Sequence, residues 1–263
     1  DLRMSRGLGD VYKRQRLEGM VAATFTPMDA RGDINLSVID KYADLMAESG
    51  MAGVFVCGTT GESHSLTTGE RKAILAQWIK SARKRFKVIA HVGSNCQLEA
   101  MELARHAQEV EADAFAAMAP CFFKPSSVKD LVDFFTPIAQ SAPDLPFYYY
   151  NMPSMTGVSL SVPSFLIEGK KTMPNLVGTK FTHNNLMEMG ECLELNNGEF
   201  EVLHGYDEIL IAGLALGAVA GVGSTYNYLP AVYQNLFDAF KKGDICTACL
   251  LYTSPSPRDM RRS

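Results

Sequence analysis

Short apolar runs alternate with longer amphipathic stretches along most of the chain. The apolar runs predict strands at 20–25, 52–56, 87–91, 113–118, 146–150, 175–180, 201–204 and 218–222. The stretches between them predict helices near 37–49, 69–84, 97–111, 127–141, 162–169, 184–195, 207–216 and 230–242. A strand that is regularly followed by a helix indicates a parallel sheet covered by helices.

Eight such units favour a closed (β/α)8 barrel, the TIM-barrel class of α/β proteins, whose usual length is roughly 250 residues. The alternative is an open, doubly wound sheet, in which the first strand is followed by a glycine-rich turn. The turn in this chain reads Thr24-Phe25-Thr26-Pro27 instead. We therefore expect the barrel.

Two helix starts carry capping signals. Thr67 or Thr68 can accept hydrogen bonds from first-turn amides ahead of Glu70, and Asn35 or Ser37 can do the same for the first helix.

The two ends differ from the rest in charge and periodicity. Segments 1–16 and 250–263 carry net charges of +3 and +2, so residues 17–249 hold −9 although the whole chain is at −4. We expect residues 1–15 and 250–263 to be non-native or disordered tails around one TIM-barrel domain at 16–249.

The acidic body argues against two classes of partner. It offers no basic stripe for phosphates, so we expect neither nucleic acid nor an anionic membrane to bind. The uncharged stretch 209–237 is interrupted by glycines and Pro230, and it predicts a buried helix and strand rather than a membrane span. The acidic body instead favours a small-molecule substrate. Six scattered cysteines are typical of reduced thiols, so we expect a cytoplasmic protein.

Polar residues gather where the predicted strands end, which is the catalytic face of such a barrel. Strand 2 is followed by Gly58-Thr59-Thr60-Gly61-Glu62, strand 5 ends at Tyr150-Asn151, and strand 6 ends at Lys180-Phe181-Thr182. Strand 7 leads into Gly205-Tyr206-Asp207-Glu208 and strand 8 into Ser224-Thr225.

Lys180 is the most informative of these residues because it ends an apolar strand. A lysine side chain in an apolar barrel mouth loses its hydration, and this favours the uncharged amine. An uncharged amine can attack a ketone. The alternative is a lysine that reaches out to water. Tyr150 could move protons beside that amine or simply fill the core.

The remaining polar positions also allow two interpretations each. Thr59 and Thr60 could bind a carboxylate through hydroxyls and backbone amides, or serve only the turn. Asp207 and Glu208 could bind a polyol, or favour a helix dipole. The five histidines show neither an HxH nor an HExxH spacing, so we expect no metal site.

Three motifs together give a family resemblance. Gly58-Thr59-Thr60-Gly61-Glu62, Tyr150-Asn151-Met152-Pro153 and Gly178-Thr179-Lys180-Phe181-Thr182 resemble, in this order, the pyruvate-dependent class I aldolases of the dihydrodipicolinate synthase and N-acetylneuraminate lyase superfamily. Gly205-Tyr206-Asp207-Glu208 and Gly223-Ser224-Thr225 are similar to segments of the lyase branch. Met155 stands where the synthase branch has an arginine, and Cys121-Phe122-Phe123 replaces its second relay tyrosine.

The resemblance implies reversible cleavage of N-acetylneuraminate to pyruvate and N-acetylmannosamine, without a metal or organic cofactor. Lys180 would form a Schiff base, Tyr150 would move protons, and Thr60 would orient Tyr150. Thr59 and Thr60 would hold the carboxylate, and the polyol would contact Thr182, Gly205, Asp207, Glu208 and Ser224.

Other functions stay open at this point: an aldolase for another 2-oxo sugar acid, a dihydrodipicolinate synthase-like reaction, or a non-catalytic binder of sialic acid. The resemblance also implies a homotetramer, and further C-terminal helices that we expect this chain to lack.

Overall fold

Eight parallel strands close into a barrel. The computed structural model describes residues 16–252. Neighbouring strands pair in chain order, and the last strand pairs with the first. The TIM-barrel prediction is therefore confirmed. The strands are β1 (Gly19–Ala23), β2 (Gly53–Val56), β3 (Lys87–His91), β4 (Ala114–Met118), β5 (Phe147–Asn151), β6 (Leu176–Phe181), β7 (Glu201–His204) and β8 (Ala220–Gly223).

Helices connect the strands on the outside of the barrel. They are α1 (Ile39–Glu48), α2 (Thr68–Ala82), α3 (Gln97–Glu109), α4 (Val128–Gln140), α5 (Pro153–Thr156), α6 (Val162–Lys170), α7 (Leu186–Glu194), α8 (Leu210–Ala215), α9 (Pro230–Lys241) and α10 (Ile245–Tyr252). The predicted helices all appear, whereas α5 and α10 were not predicted. Helix α10 continues three residues beyond the predicted domain end at 249. Residues 1–15 and most of 250–263, the predicted tails, lie outside the described residues.

One of the two predicted caps is wrong. Thr67 caps α2 in a reciprocal pair with Glu70, as predicted. A 3₁₀ turn at Leu36–Val38 precedes α1, so this helix starts later than expected and no side chain caps it. The Ser37 hydroxyl donates to the Asn35 side chain instead.

The strand alternation divides the core into two layers. One set of side chains fills the barrel, and the other packs between the sheet and the helices. On β5, Tyr148 and Tyr150 belong to the inner set, while Tyr149 packs outward against Phe135 and Phe165. Tyr150, two residues further along β5 than Tyr148, therefore lies nearer the mouth formed by the carboxyl ends of the strands.

The uncharged stretch 209–237 forms α8, β8 and most of α9, as predicted for a buried helix and strand. No helix within residues 16–252 has the length and apolar character needed to cross a bilayer.

Candidate active site

A cavity of about 760 Å³ opens at the carboxyl ends of the strands. Every residue that the sequence singled out for catalysis or binding lines it: Thr59, Thr60, Tyr150, Lys180, Thr182, Gly205, Asp207, Glu208 and Ser224. These residues come from five different strands and the loops that follow them, so the barrel itself brings them together.

Lys180 points into this cavity rather than out to solvent. It stands opposite Tyr150 in the register of β5 and β6, and only 4% of the residue is exposed. Its Nζ lies 3.9 Å from the ring centroid of Tyr150 and 4.2 Å from that of Phe55. Within residues 16–252 no carboxylate forms an ion pair with this amine, which lies against two aromatic faces.

The Tyr150 hydroxyl has two polar neighbours. It lies 3.2 Å from the Thr59 hydroxyl and 3.0 Å from the Met152 sulfur. The hydroxyl that could orient Tyr150 is therefore that of Thr59, whereas the resemblance implied Thr60. Thr60 lines the same cavity, but the hydroxyl beside the phenol is that of Thr59.

Glycines make the threonine turn possible because the chain passes close to other groups there. A Cβ at Gly58 would lie 2.8 Å from the Phe55 ring, and one at Gly61 would lie 3.0 Å from the carbonyl oxygen of Thr24. The turn therefore depends on the absence of side chains at both positions, as well as on the hydroxyls between them.

His91 is a buried neighbour of the site at the end of β3, where the sequence also ends its third predicted strand. Its Nδ1 pairs with the Cys57 carbonyl oxygen at 2.8 Å, and its ring meets Tyr150 edge to face. Burial lowers the pKa of the imidazole well below its usual range, so the ring is neutral at physiological pH. Period two along β3 places His91 on the inner face with Ile89, and its ring contacts the inner residues Phe55 and Tyr150.

Arg71 holds the end of β3 next to this histidine. Its guanidinium is buried and donates to the backbone oxygens of His91 and Gly93, at 2.8 and 3.0 Å. Desolvation lowers the pKa of Arg71, but the group remains charged because its ordinary value is so high.

The wall of the cavity that follows β6, β7 and β8 carries hydroxyl and carboxylate groups. A Cβ at Gly205 would overlap the Thr182 hydroxyl, so the glycine leaves space for it. That hydroxyl is buried and has no hydrogen-bond partner in the described part of the chain, which leaves it able to bind a ligand. Asp207 is also buried, and Glu208 and Ser224 complete this wall.

Several lining residues were not predicted: Ala23, Phe25, Met152, Tyr206, Val222 and Tyr228. Phe25 and Tyr228 are exposed loop residues, and Phe25 lies beyond the end of β1 although the predicted first strand included it. The structure groups no three His, Cys, Asp or Glu side chains in metal-binding positions between residues 16 and 252.

Known proteins resemble this chain in fold and in sequence. The dihydrodipicolinate synthetase family matches residues 16–255. N-acetylneuraminate lyase of Mus musculus is 42% identical over 90% of this chain and 75% of its own length. The native N-acetylneuraminate lyase (sialic acid aldolase) of Aliivibrio salmonicida superposes with a TM-score of 0.89 at 41% identity, over 91% of this chain and 79% of that one. The Proteus mirabilis N-acetylneuraminate lyase gives 0.88 at 38%, over 90% and 80%. This chain belongs to the dihydrodipicolinate synthetase family.

Proposed function

We propose that this protein is a class I aldolase that reversibly cleaves N-acetylneuraminate to pyruvate and N-acetylmannosamine. The names of relatives at about 40% identity support this substrate. The observation that carries the chemistry is the Lys180 amine, buried in an open cavity against the ring of Tyr150.

Lys180 supplies the covalent step. Its uncharged amine attacks the C2 ketone of the open-chain sugar, and loss of water leaves a protonated imine. The C3–C4 bond then breaks, its electron pair moves toward the imine nitrogen to give an enamine, and C4 becomes the aldehyde of N-acetylmannosamine. Protonation of the enamine at C3 and hydrolysis release pyruvate and the free lysine. The lysine provides the electrophile, so the proposed reaction needs no metal or organic cofactor.

Tyr150 moves the protons in this scheme. Its phenol gives a proton to the carbinolamine hydroxyl, which leaves as water, and the resulting phenolate accepts the proton of the C4 hydroxyl as the C3–C4 bond breaks. The Thr59 hydroxyl, 3.2 Å away, fixes the position of that phenol.

The two walls of the cavity bind the two ends of the substrate. Thr59 and Thr60 hold the carboxylate through backbone amides and hydroxyls, a small anion-binding turn. The polyol lies against the opposite wall, where its hydroxyls contact Thr182, Gly205, Asp207, Glu208 and Ser224.

The synthase-like alternative has less support. Met155 lies on α5, is 61% exposed and does not line the cavity, and it has no charge to bind a second carboxylate. Phe122 and Phe123 carry no hydroxyl for a proton relay.

The experiment that tests the proposal is substrate cleavage. Purified protein is incubated with N-acetylneuraminate or with a ketodeoxy sugar acid of the same chain length, and released pyruvate is followed through lactate dehydrogenase. We expect faster cleavage of N-acetylneuraminate. Preference for the other acid would support the alternative of an aldolase for another 2-oxo sugar acid. Binding of sialic acid without pyruvate release would support a non-catalytic binder and refute the proposal.

We further propose that the protein forms a homo-oligomer, as the tetramer of the resemblance implies, and works in the cytoplasm. Phe122 and Phe123 pack against each other on the loop after β4 while 75% and 86% exposed, an apolar pair suited to burial against a second copy. All six cysteines are free thiols, which fits a reducing compartment. Sedimentation of the parent and of Phe123→Ser tests the assembly, because the substitution should shift it toward the monomer.

A further inference from the structure

Asp207 presents a carboxylate in an unusual setting. The residue begins the short 3₁₀ turn Asp207–Ile209 after β7, lines the cavity and is only 5% exposed. Charged side chains are rarely buried without a partner, because lost hydration is costly. Within residues 16–252 no lysine, arginine or histidine forms an ion pair with it.

Thr225 compensates for the lost hydration. Its backbone N–H donates to Asp207 Oδ2 at 2.8 Å, and its hydroxyl donates to the same oxygen at 2.6 Å. Thr225 is itself buried and begins the 3₁₀ turn Thr225–Asn227 after β8. Two donors on one ionised oxygen hold the carboxylate more strongly than neutral hydrogen bonds would.

The neighbouring strand leaves space for this pairing. β7 and β8 run side by side, and a Cβ at Gly223 would lie 2.9 Å from Asp207 Cγ. Asp207 can therefore lie directly against the end of β8, where Thr225 reaches it.

The pairing has a consequence for binding. Both hydrogen bonds from Thr225 end on Oδ2, so the acceptor positions of Oδ1 are available to a ligand. An aspartate side chain that is already held in one orientation loses less conformational freedom when a hydroxyl binds to it.

We propose that Thr225 is a positioning residue for the sugar end of the substrate, acting through Asp207. This inference rests on the proposed function, since it assigns Asp207 to the polyol. It predicts that loss of the Thr225 hydroxyl weakens sugar binding and leaves imine formation with pyruvate unchanged, because pyruvate has no polyol.

The experiment compares three variants with the parent protein. Thr225→Val keeps the side-chain shape and removes the hydroxyl, and Thr225→Ser keeps the hydroxyl. Thr136→Val is the matched control, because it deletes a threonine hydroxyl that donates to a backbone oxygen on α4, outside the cavity. KM and kcat for N-acetylneuraminate cleavage are measured, together with the pyruvate concentration that half-saturates borohydride trapping at Lys180.

We expect Thr225→Val to raise KM by about 5- to 20-fold, which is less than the full loss of a hydrogen bond to a charged group because the Thr225 N–H still donates to Oδ2. Thr225→Ser should restore most of this loss, and pyruvate trapping should be unchanged in every variant. An unchanged KM in Thr225→Val would overturn the proposal, as would a parallel loss of pyruvate trapping, which indicates general damage to the barrel. A parent protein that neither traps pyruvate nor cleaves the sugar overturns the proposed function itself and this inference with it.

Discussion

Two tyrosines on one strand allow the proton-transfer role to be separated from a structural one. Tyr148 and Tyr150 both point into the barrel from β5. The Tyr150 hydroxyl lies at the cavity beside Thr59, whereas the Tyr148 hydroxyl donates to Glu201 at 2.8 Å. Replacing each tyrosine with phenylalanine deletes one oxygen atom on the same face of the same strand, two residues apart.

The two deletions should affect different quantities. Tyr150→Phe should lower kcat by about 10²- to 10⁴-fold, the usual contribution of a positioned acid or base, which is about 3–5 kcal/mol on the barrier. The substitution removes only the contacts of this hydroxyl with Thr59 and the Met152 sulfur, so the free energy of unfolding should change little. Tyr148→Phe removes a hydrogen bond to a carboxylate and should lower the free energy of unfolding by about 1.5–3 kcal/mol, with kcat nearly unchanged.

The assay pairs steady-state cleavage with urea unfolding followed by Trp78 fluorescence, since this single tryptophan is fully buried. If both variants lose activity in proportion to lost stability, Tyr150 has no special chemical role. A Tyr150→Phe enzyme with parental kcat would refute the assignment outright.

Three further predictions concern the binding wall, the outer core and pH. Gly205→Ala should raise the sugar KM on the order of tenfold to a hundredfold, because its methyl group displaces the Thr182 hydroxyl; unchanged KM would show that this hydroxyl is not used. Phe135→Ala should lower the free energy of unfolding by about 3–5 kcal/mol, since the ring packs on Phe165 and neighbouring aromatic side chains; a loss under about 1 kcal/mol would contradict the packing described. The lowered pKa of His91 means that the unfolded chain binds a proton more readily than the folded one, so this residue costs stability as the pH falls below about 6.5. Urea unfolding of His91→Gln should therefore show a smaller loss of stability between about pH 7 and pH 5, and an unchanged pH dependence would count against a buried neutral ring.

The sequence predicted the barrel because each strand and helix repeats a simple pattern. Strand ends could be located from apolar runs, and the polar residues after them then had to meet at one face. This reasoning brought Lys180, Tyr150 and Asp207 together without any knowledge of their distances.

What the sequence could not supply were details that depend on three-dimensional contact. The choice between Thr59 and Thr60 as neighbour of Tyr150 depends on how the turn closes, and two adjacent threonines look alike in a pattern. The predicted cap of α1 was wrong because a 3₁₀ turn at Leu36–Val38 precedes the helix and moves its start to Ile39. The partnership of Asp207 with Thr225 joins two loops that are 18 residues apart along the chain.

The central claim is that the Lys180 amine forms an imine with a 2-oxo acid, and one measurement tests it directly. The protein is treated with borohydride in the presence of pyruvate, digested and analysed by mass spectrometry, with Lys180→Met as the control. The account predicts a reduced pyruvate adduct on the peptide that contains Lys180, and none in the control. Folded protein that gains no adduct, or gains it equally on other lysines, would contradict the account.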